Sequence, residues 1–312
     1  MHDDDDLEEL RRRARPDDLA SLRRLDAALV RTGYRVDGRT VRERIADFAN
    51  VRTRELDRSD AAMKVGEAGL AAVPALVDTL RAERLDVPWK VDLSIRAQCI
   101  DALGQVDPLP TCAVPALLDA LKLPSSRLQR MALAVLARMR PRSTPAAVRA
   151  LLASLQDKQD AQVRGRAAQV LARLEGPLSD AVRDAVLARL TDPSQFVRRQ
   201  AIQVLGRFPD DPKVLTALEE QAMLDDENRL EALRVLAVLE PARAIPLLLE
   251  VVLEAGRLPP VNWSHPIDEA WLRDKRGREL GMRALLLGSL ASFFPRSGPG
   301  RPRPSSPGSR AP

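Results

Sequence analysis

The sequence predicts an all-α fold, an α/α superhelix built from antiparallel helix pairs. Three observations predict it. Strong helix formers (Ala, Leu, Arg) dominate the middle of the chain. Apolar residues make up 45% of the 312 residues but aromatic ones only 3%, which suits thin layers of closely packed helices better than one large core. Finally, one helical pattern returns at a near-constant period, the mark of a repeat architecture.

The returning pattern is a helix ending in a small residue. It reads IRAQCIDALG at 95–104, LQRMALAVLA at 128–137, VRGRAAQVLA at 163–172, VRRQAIQVLG at 197–206 and NRLEALRVLA at 228–237. The equivalent central small residues are Cys99, Ala132, Ala167, Ala201 and Ala232, separated by 33, 35, 34 and 31 residues. We term this helix B.

A second amphipathic segment, helix A, precedes each copy. AVPALVDTL begins at Ala72, AVPALLDAL at Ala113, AVRALLASL at Ala147 and AVRDAVLARL at Ala181, with looser versions at Val214 and Ala244. Apolar residues at i, i+3, i+4 and i+7 give each one adhesive face. Pro74, Pro115 and Pro246 are expected in first turns, where a missing N–H costs nothing. Asp192-Pro193 and Asp211-Pro212 punctuate turns. One helix pair cannot bury its own apolar stripe; stacking buries it against both neighbours. AAMKVG at 61–66 and GMRALL at 281–286 read as weaker flanking copies.

The VPALxxAL helix followed by VRxxAxxxLG resembles the HEAT-repeat family over roughly 60–255, especially its bacterial branch of phycobilisome-lyase type. Members include scaffolds, adaptors, lyase subunits and alkylpurine DNA glycosylases. The resemblance implies that an Arg early in helix B pairs with an Asp in the preceding turn, as a structural ladder. Arg164 and Arg198 match that Arg, with Asp157 and Asp192 as expected partners. Arg96 and Arg229 match as well, whereas Gln129 departs.

The ends differ from the body. Residues 1–16 are expected to be a disordered charged segment, beginning with Asp3–Asp6. Residues 17–57 read as a helical N-terminal cap, because a solenoid needs a polar-faced end. Residues 58–294 form the solenoid, with an irregular insert at 256–275 that holds Trp263, Ser264, His265 and Trp271. Residues 295–312, rich in Pro, Gly, Ser and Arg, have too little apolar content to fold. The net charge of +5 is concentrated near the ends, leaving 61–295 near neutral. The high pI therefore does not describe a basic nucleic-acid-binding body.

Catalytic constellations are scarce. The chain has two histidines, His2 and His265, and two cysteines, Cys99 and Cys112, both read as reduced structural thiols. No GxGxxG, GxxxxGK[ST] or GxSxG string occurs, and neither a metal nor a cofactor is expected. Trp89 and Asp92 superficially resemble the groove residues of the glycosylases, but Trp89 is expected to pack in an inter-helix turn. No apolar run reaches the length of a membrane span, and no leader is visible; the expected location is the cytoplasm.

What remains is a surface. On each helix B, the positions one before, two after and six after the central residue share a face and are expected to line the concave side toward solvent. They yield a ridge of Arg138, Arg166, Gln169, Arg173, Gln203, Arg207 and Arg234. Such a ridge suits a protein partner with an acidic segment, since Arg recognises carboxylates bidentately. Trp263 is a second candidate contact, because Trp is enriched at binding hot spots. The expected function is a non-catalytic interaction scaffold or adaptor. The alternatives are a nucleic-acid binder and a lyase-like enzyme subunit.

Overall fold

A computed structural model of the protein describes residues 2–33, 35, 40–48, 62–66, 68–83, 85–224 and 227–256. The chain divides into two compact units, Met1–Leu239 and Glu240–Pro312. In the first unit the described helices are α1 (His2–Arg13), α2 (Leu19–Arg31), α3 (Val41–Asp47), α4 (62–66), α5 (Val73–Arg81), α6 (Trp89–Gln105), α7 (Val114–Ala120), α8 (Ser126–Met139), α9 (Pro145–Leu155), α10 (Ala161–Arg173), α11 (Asp180–Leu187), α12 (Gln195–Leu205), α13 (Pro212–Met223) and α14 (Arg229–Leu239).

Local chemistry sets where these helices begin. Ser125, Thr144, Asp160 and Asp211 occupy the N-caps of α8, α9, α10 and α13, each accepting a backbone N–H from the first turn. Such a cap contributes about 1 kcal/mol. Pro74, Pro115, Pro145 and Pro212 stand at the first or second helical position, where their fixed φ suits a helix start.

The helices pair as α5/α6, α7/α8, α9/α10, α11/α12 and α13/α14, and the B helices stack in the order α6, α8, α10, α12, α14. This is an all-α solenoid of antiparallel pairs. Cys99, Ala132, Ala167, Ala201 and Ala232 are all fully buried. So are the residues four positions on, Leu103, Leu136, Leu171, Leu205 and Leu236. The small residue admits the neighbouring helix and the Leu one turn later fills the space beside it. Between α10 and α12 the approach is closer still: a Cβ at Gly165 would lie 2.3 Å from two ring atoms of Phe196.

The N-terminus departs from expectation. Residues 2–13 form α1 rather than a disordered start. Leu7, Leu10 and Ala14, spaced i, i+3 and i+7, pack on Leu25, Leu29 and Ala71. Glu8 and Glu9 pair with Arg11, Arg12 and Arg13 one turn on, and acids first with bases last suits the helix dipole. In turn α2 packs on α5 and on the Gly69–Ala72 turn, and α3 on α5; α3 opens with a Thr40/Glu43 capping box.

In the second unit the described element is α15 (Pro241–Gly256). It starts earlier than the sequence suggests, at Pro241, so Pro246 lies inside the helix and not in its first turn. Of the insert at 256–275 only Gly256, the last residue of α15, is described; its remainder, GMRALL at 281–286 and the tail at 295–312 lie outside the described residues, as does Trp263.

Candidate interaction surface

Side chains of the B helices build two tiers of contacts to backbone carbonyls. The first tier lies early in helix B. Arg96 donates to Leu80 O at 2.6 Å and Ala82 O at 2.7 Å, the end of its own helix A. Gln129 donates its amide to Leu121 O and Leu123 O. Arg164 donates to Asp157 O at 3.1 Å, and Arg198 to Asp192 O at 3.0 Å. Each satisfies carbonyls that a helix end leaves without an intrahelical donor. Gln129, which departs from the expected Arg, performs the same capping through its amide.

The carboxylate partners differ from those the resemblance implies. Arg164 forms a two-pronged pair with Asp192 of the following repeat, both bonds at 2.8 Å, and meets Asp157 only through its carbonyl. The Asp157 carboxylate is engaged by the N–H groups of Gln159 and Asp160. Arg130–Asp160 at 2.9 Å and Arg183–Asp211 at 2.6 Å join further repeats in the same way. The ladder is thus an inter-repeat one. Asp92, which a base-excision reading needs as a free carboxylate, is buried against Arg96 at 2.5 Å. Trp89 is half exposed at the start of α6 rather than packed in the turn.

The second tier lies in the last turn of helix B and contains three of the ridge residues. Arg138 donates to Gly104 O at 2.7 Å, and Arg173 to Ala137 O at 3.3 Å. Arg207 reaches Leu171 O, Ala172 O, Leu174 O and Gly176 O. Each guanidinium therefore caps the C-terminus of the preceding helix B, where a cation is favoured. Arg138 and Arg173 are nevertheless exposed, while Arg207 is half-buried.

The other ridge positions divide. Gln203 and Arg234 converge on Glu231, Gln203 at 3.0 Å and Arg234 at 2.5 Å. Gln169 is half-buried, as is Arg166, whose Nε is buried without a hydrogen-bond partner among the described residues. The column one before the central residue is not a solvent column: Gln98, Gln200 and Glu231 are buried. That position lies too close to the neighbouring B helix to face water. The capping role of Arg138, Arg173 and Arg207 had a signal in the sequence, their last-turn position, but the acceptors belong to a helix some 35 residues earlier.

Burial pushes the Cys99 thiol up to about 12 and the Cys112 thiol up to about 11. A nucleophilic thiol needs the opposite shift. With the native protein at pH 8, Ellman's reagent is expected to leave Cys99 unlabelled until denaturant is added. Cys112 should react on the order of a hundredfold more slowly than an unhindered thiol; rapid labelling of both would contradict this environment. Among the described residues no group of three or more His, Cys, Asp or Glu could hold a metal ion, and no helix is long and apolar enough to cross a membrane.

Stacked helix pairs joined by capping side chains define an α/α repeat solenoid. Over residues 90–229 the repeats are of HEAT type: the HEAT-repeat family model matches residues 90–172 and again 159–229. Among solved structures, the chain is similar to an engineered protein at 18% identity (TM-score 0.46), covering 65% of this chain and 99% of that one. A second engineered protein, also 18% identical with a TM-score of 0.46, covers 87% of this chain and 72% of its own. A designed armadillo repeat protein, 14% identical with a TM-score of 0.44, covers 64% and 100%. No curated protein matches the chain.

Proposed function

We propose that the protein is a non-catalytic interaction scaffold that binds a partner protein through its B-helix face. One observation carries the reading. Arg138 and Arg173 each spend one Nη1 donor on a carbonyl of the preceding repeat, yet both stay exposed. The anchoring bond fixes each guanidinium plane, so little rotamer entropy is lost when a carboxylate takes the remaining donors. B helices stack roughly 8–10 Å apart, so these groups recur at similar steps along the stack. An acidic segment of a partner suits that spacing. Free Cys99 and Cys112 are compatible with a reducing compartment such as the cytoplasm.

The test is affinity purification of the full chain beside an Arg138→Glu/Arg173→Glu double variant. Arg207 is left intact because it is half-buried and bonds to four carbonyls, where Arg138 and Arg173 are exposed and bond to one each. The wild type is expected to retain a protein partner that the variant loses, with the variant still folded but melting lower, because each reversal removes a helix C-cap contributing about 0.3–1 kcal/mol. Recovery of no protein, together with DNA binding that falls steeply with salt, would replace this reading with a nucleic-acid one.

A further inference from the structure

A second surface, away from the B-helix face, has the features of a preformed docking groove. It is a trough between two A helices, α7 and α9. Cavities of about 740 and about 500 Å³ meet there and share Lys122, Ala146 and Ala150 as walls, within the size range of ligand-binding clefts. The cause is in the sequence of α9. Ala146, Arg149, Ala150 and Ala153, at i, i+3, i+4 and i+7, form one face, and alanine methyls are too short to fill the space toward α7. The opposite wall is Val114, Pro115 and Leu118 at one end and Leu121 at the other. Pro115, Ala146 and Ala153 stay exposed.

The rim is basic. Arg140 and Arg142 line the larger cavity and Arg149 the smaller one, so the guanidiniums stand toward opposite ends of the trough. None of the three has a hydrogen-bond or ion-pair partner among the described residues. The other rim cations are spent: Arg81 and Lys122 both meet Asp119, at 3.5 and 2.8 Å. Asp17, beside Arg142, is already held by Arg15 at 2.8 Å. The Arg15 hydrogen bond, with the charge of Arg142 as a lesser cause, keeps its carboxyl below the usual range.

Arg140 also carries strain. With φ 49° and ψ 62° it takes the left-handed cap of α8, and it is the one non-glycine residue with positive φ among those described. Glycine normally fills that position, and strain of this kind gathers at binding sites. The loop behind it is pinned by two backbone hydrogen bonds, Glu175 N to Pro141 O at 2.9 Å and Ser143 N to Glu175 O at 2.8 Å. The strained, unpaired arginine is thus held on a fixed rim, which lowers the entropic cost of binding.

We infer that the trough between α7 and α9 docks a short extended segment of a protein partner, with small apolar side chains on the alanine floor and a carboxylate at each end. Opposite charge on the rim selects the acids. Ala146 to Ala153 spans roughly 10 Å of helix, which about three residues of extended peptide cover. The acids should therefore be about three to five residues apart.

The test uses fluorescence anisotropy of the full chain with fluorescein-labelled 12-residue peptides. In each, two Glu residues flank two, three or four Ala, Val or Leu residues; control peptides carry Lys for Glu. Glu peptides are expected to bind and Lys peptides not. Arg140→Gly is expected to weaken binding at least tenfold while raising the melting temperature, because glycine occupies the left-handed cap without strain. Arg149→Gln is expected to weaken it, and Ala150→Trp to block the floor. In an Arg138→Glu/Arg173→Glu background, which removes B-face binding of acids, the losses from Arg140→Gly and Ala150→Trp should persist, so failure of the B-face reading registers separately. The inference is overturned if no Glu peptide binds, if binding is indifferent to Arg140→Gly and Ala150→Trp, or if inorganic polyphosphate displaces the peptide as well as unlabelled peptide does.

Discussion

Replacing Asp192 by Ala is expected to destabilise the repeat body by about 3–5 kcal/mol, the cost of breaking one partner out of a buried ion pair. Both bonds from Arg164 to Asp192 are 2.8 Å, and the two residues are 9% and 6% exposed. Removing the carboxylate leaves a buried guanidinium with only Asp157 O, and deprives Ser194 N of its acceptor at 2.9 Å. Asp192→Asn, which keeps an acceptor, should cost less. Urea unfolding of the three proteins reads the difference directly; a loss below about 1 kcal/mol for the Ala variant would show that the pair only matches its desolvation cost.

The same pair sets an acid limit. Burial pushes the Asp192 and Asp211 carboxyls up, but hydrogen bonds outweigh it and hold both below the ordinary aspartate range. The bonds come from Arg164 and Ser194 N on Asp192, and from Arg183 and Lys213 N on Asp211. A carboxyl whose folded pKa is depressed contributes stability that is fully present above its unfolded value, near 3.9. That contribution is lost as pH falls through the folded value. Wild-type stability should therefore fall steeply below about pH 4, and the Asp192→Ala curve should be flatter there.

The repeat itself was legible in the sequence because its most constrained position is marked by size. Cys99, Ala132, Ala167, Ala201 and Ala232 recur where no larger side chain fits, and all are fully buried. Pairing within the ladder was less legible. Asp157 is near Arg164 in the chain, but its carboxylate is consumed by its own turn, and only the fold brings Asp192 within reach. The ridge was found by helical periodicity, which reports that residues share a face, not that the last-turn guanidiniums bend back onto a neighbour's carbonyls. The first helix was missed because the run of Asp3–Asp6 outweighed the weaker spacing of Leu7, Leu10 and Ala14. The trough between α7 and α9 has no sequence signature of its own. It is the space that Ala146, Ala150 and Ala153 fail to fill against residues some thirty positions earlier.

At the centre of the stack, Leu171→Ala and Ala167→Leu probe opposite failures of the same joint. Both residues are fully exposed to neighbours and closed to solvent, at 0% accessibility, on a helix that packs against α8, α9 and α12. Leu171→Ala removes buried methyl groups from a site walled on three sides, where collapse is limited, so about 3–5 kcal/mol is expected. Ala167→Leu, one turn earlier, must push α8 or α12 outward, for about 1–3 kcal/mol. A repeat touches only its neighbours, so stability is a sum of repeat and interface terms. Weakening α10 should therefore divide the unfolding of the stack rather than shift it as a whole. Hydrogen exchange is the measurement that separates these outcomes. Amides of α8, α10 and α12 are expected to lose protection in Leu171→Ala well before those of α5 and α6. Uniform loss across all these helices would instead mean that the solenoid unfolds as a single cooperative unit.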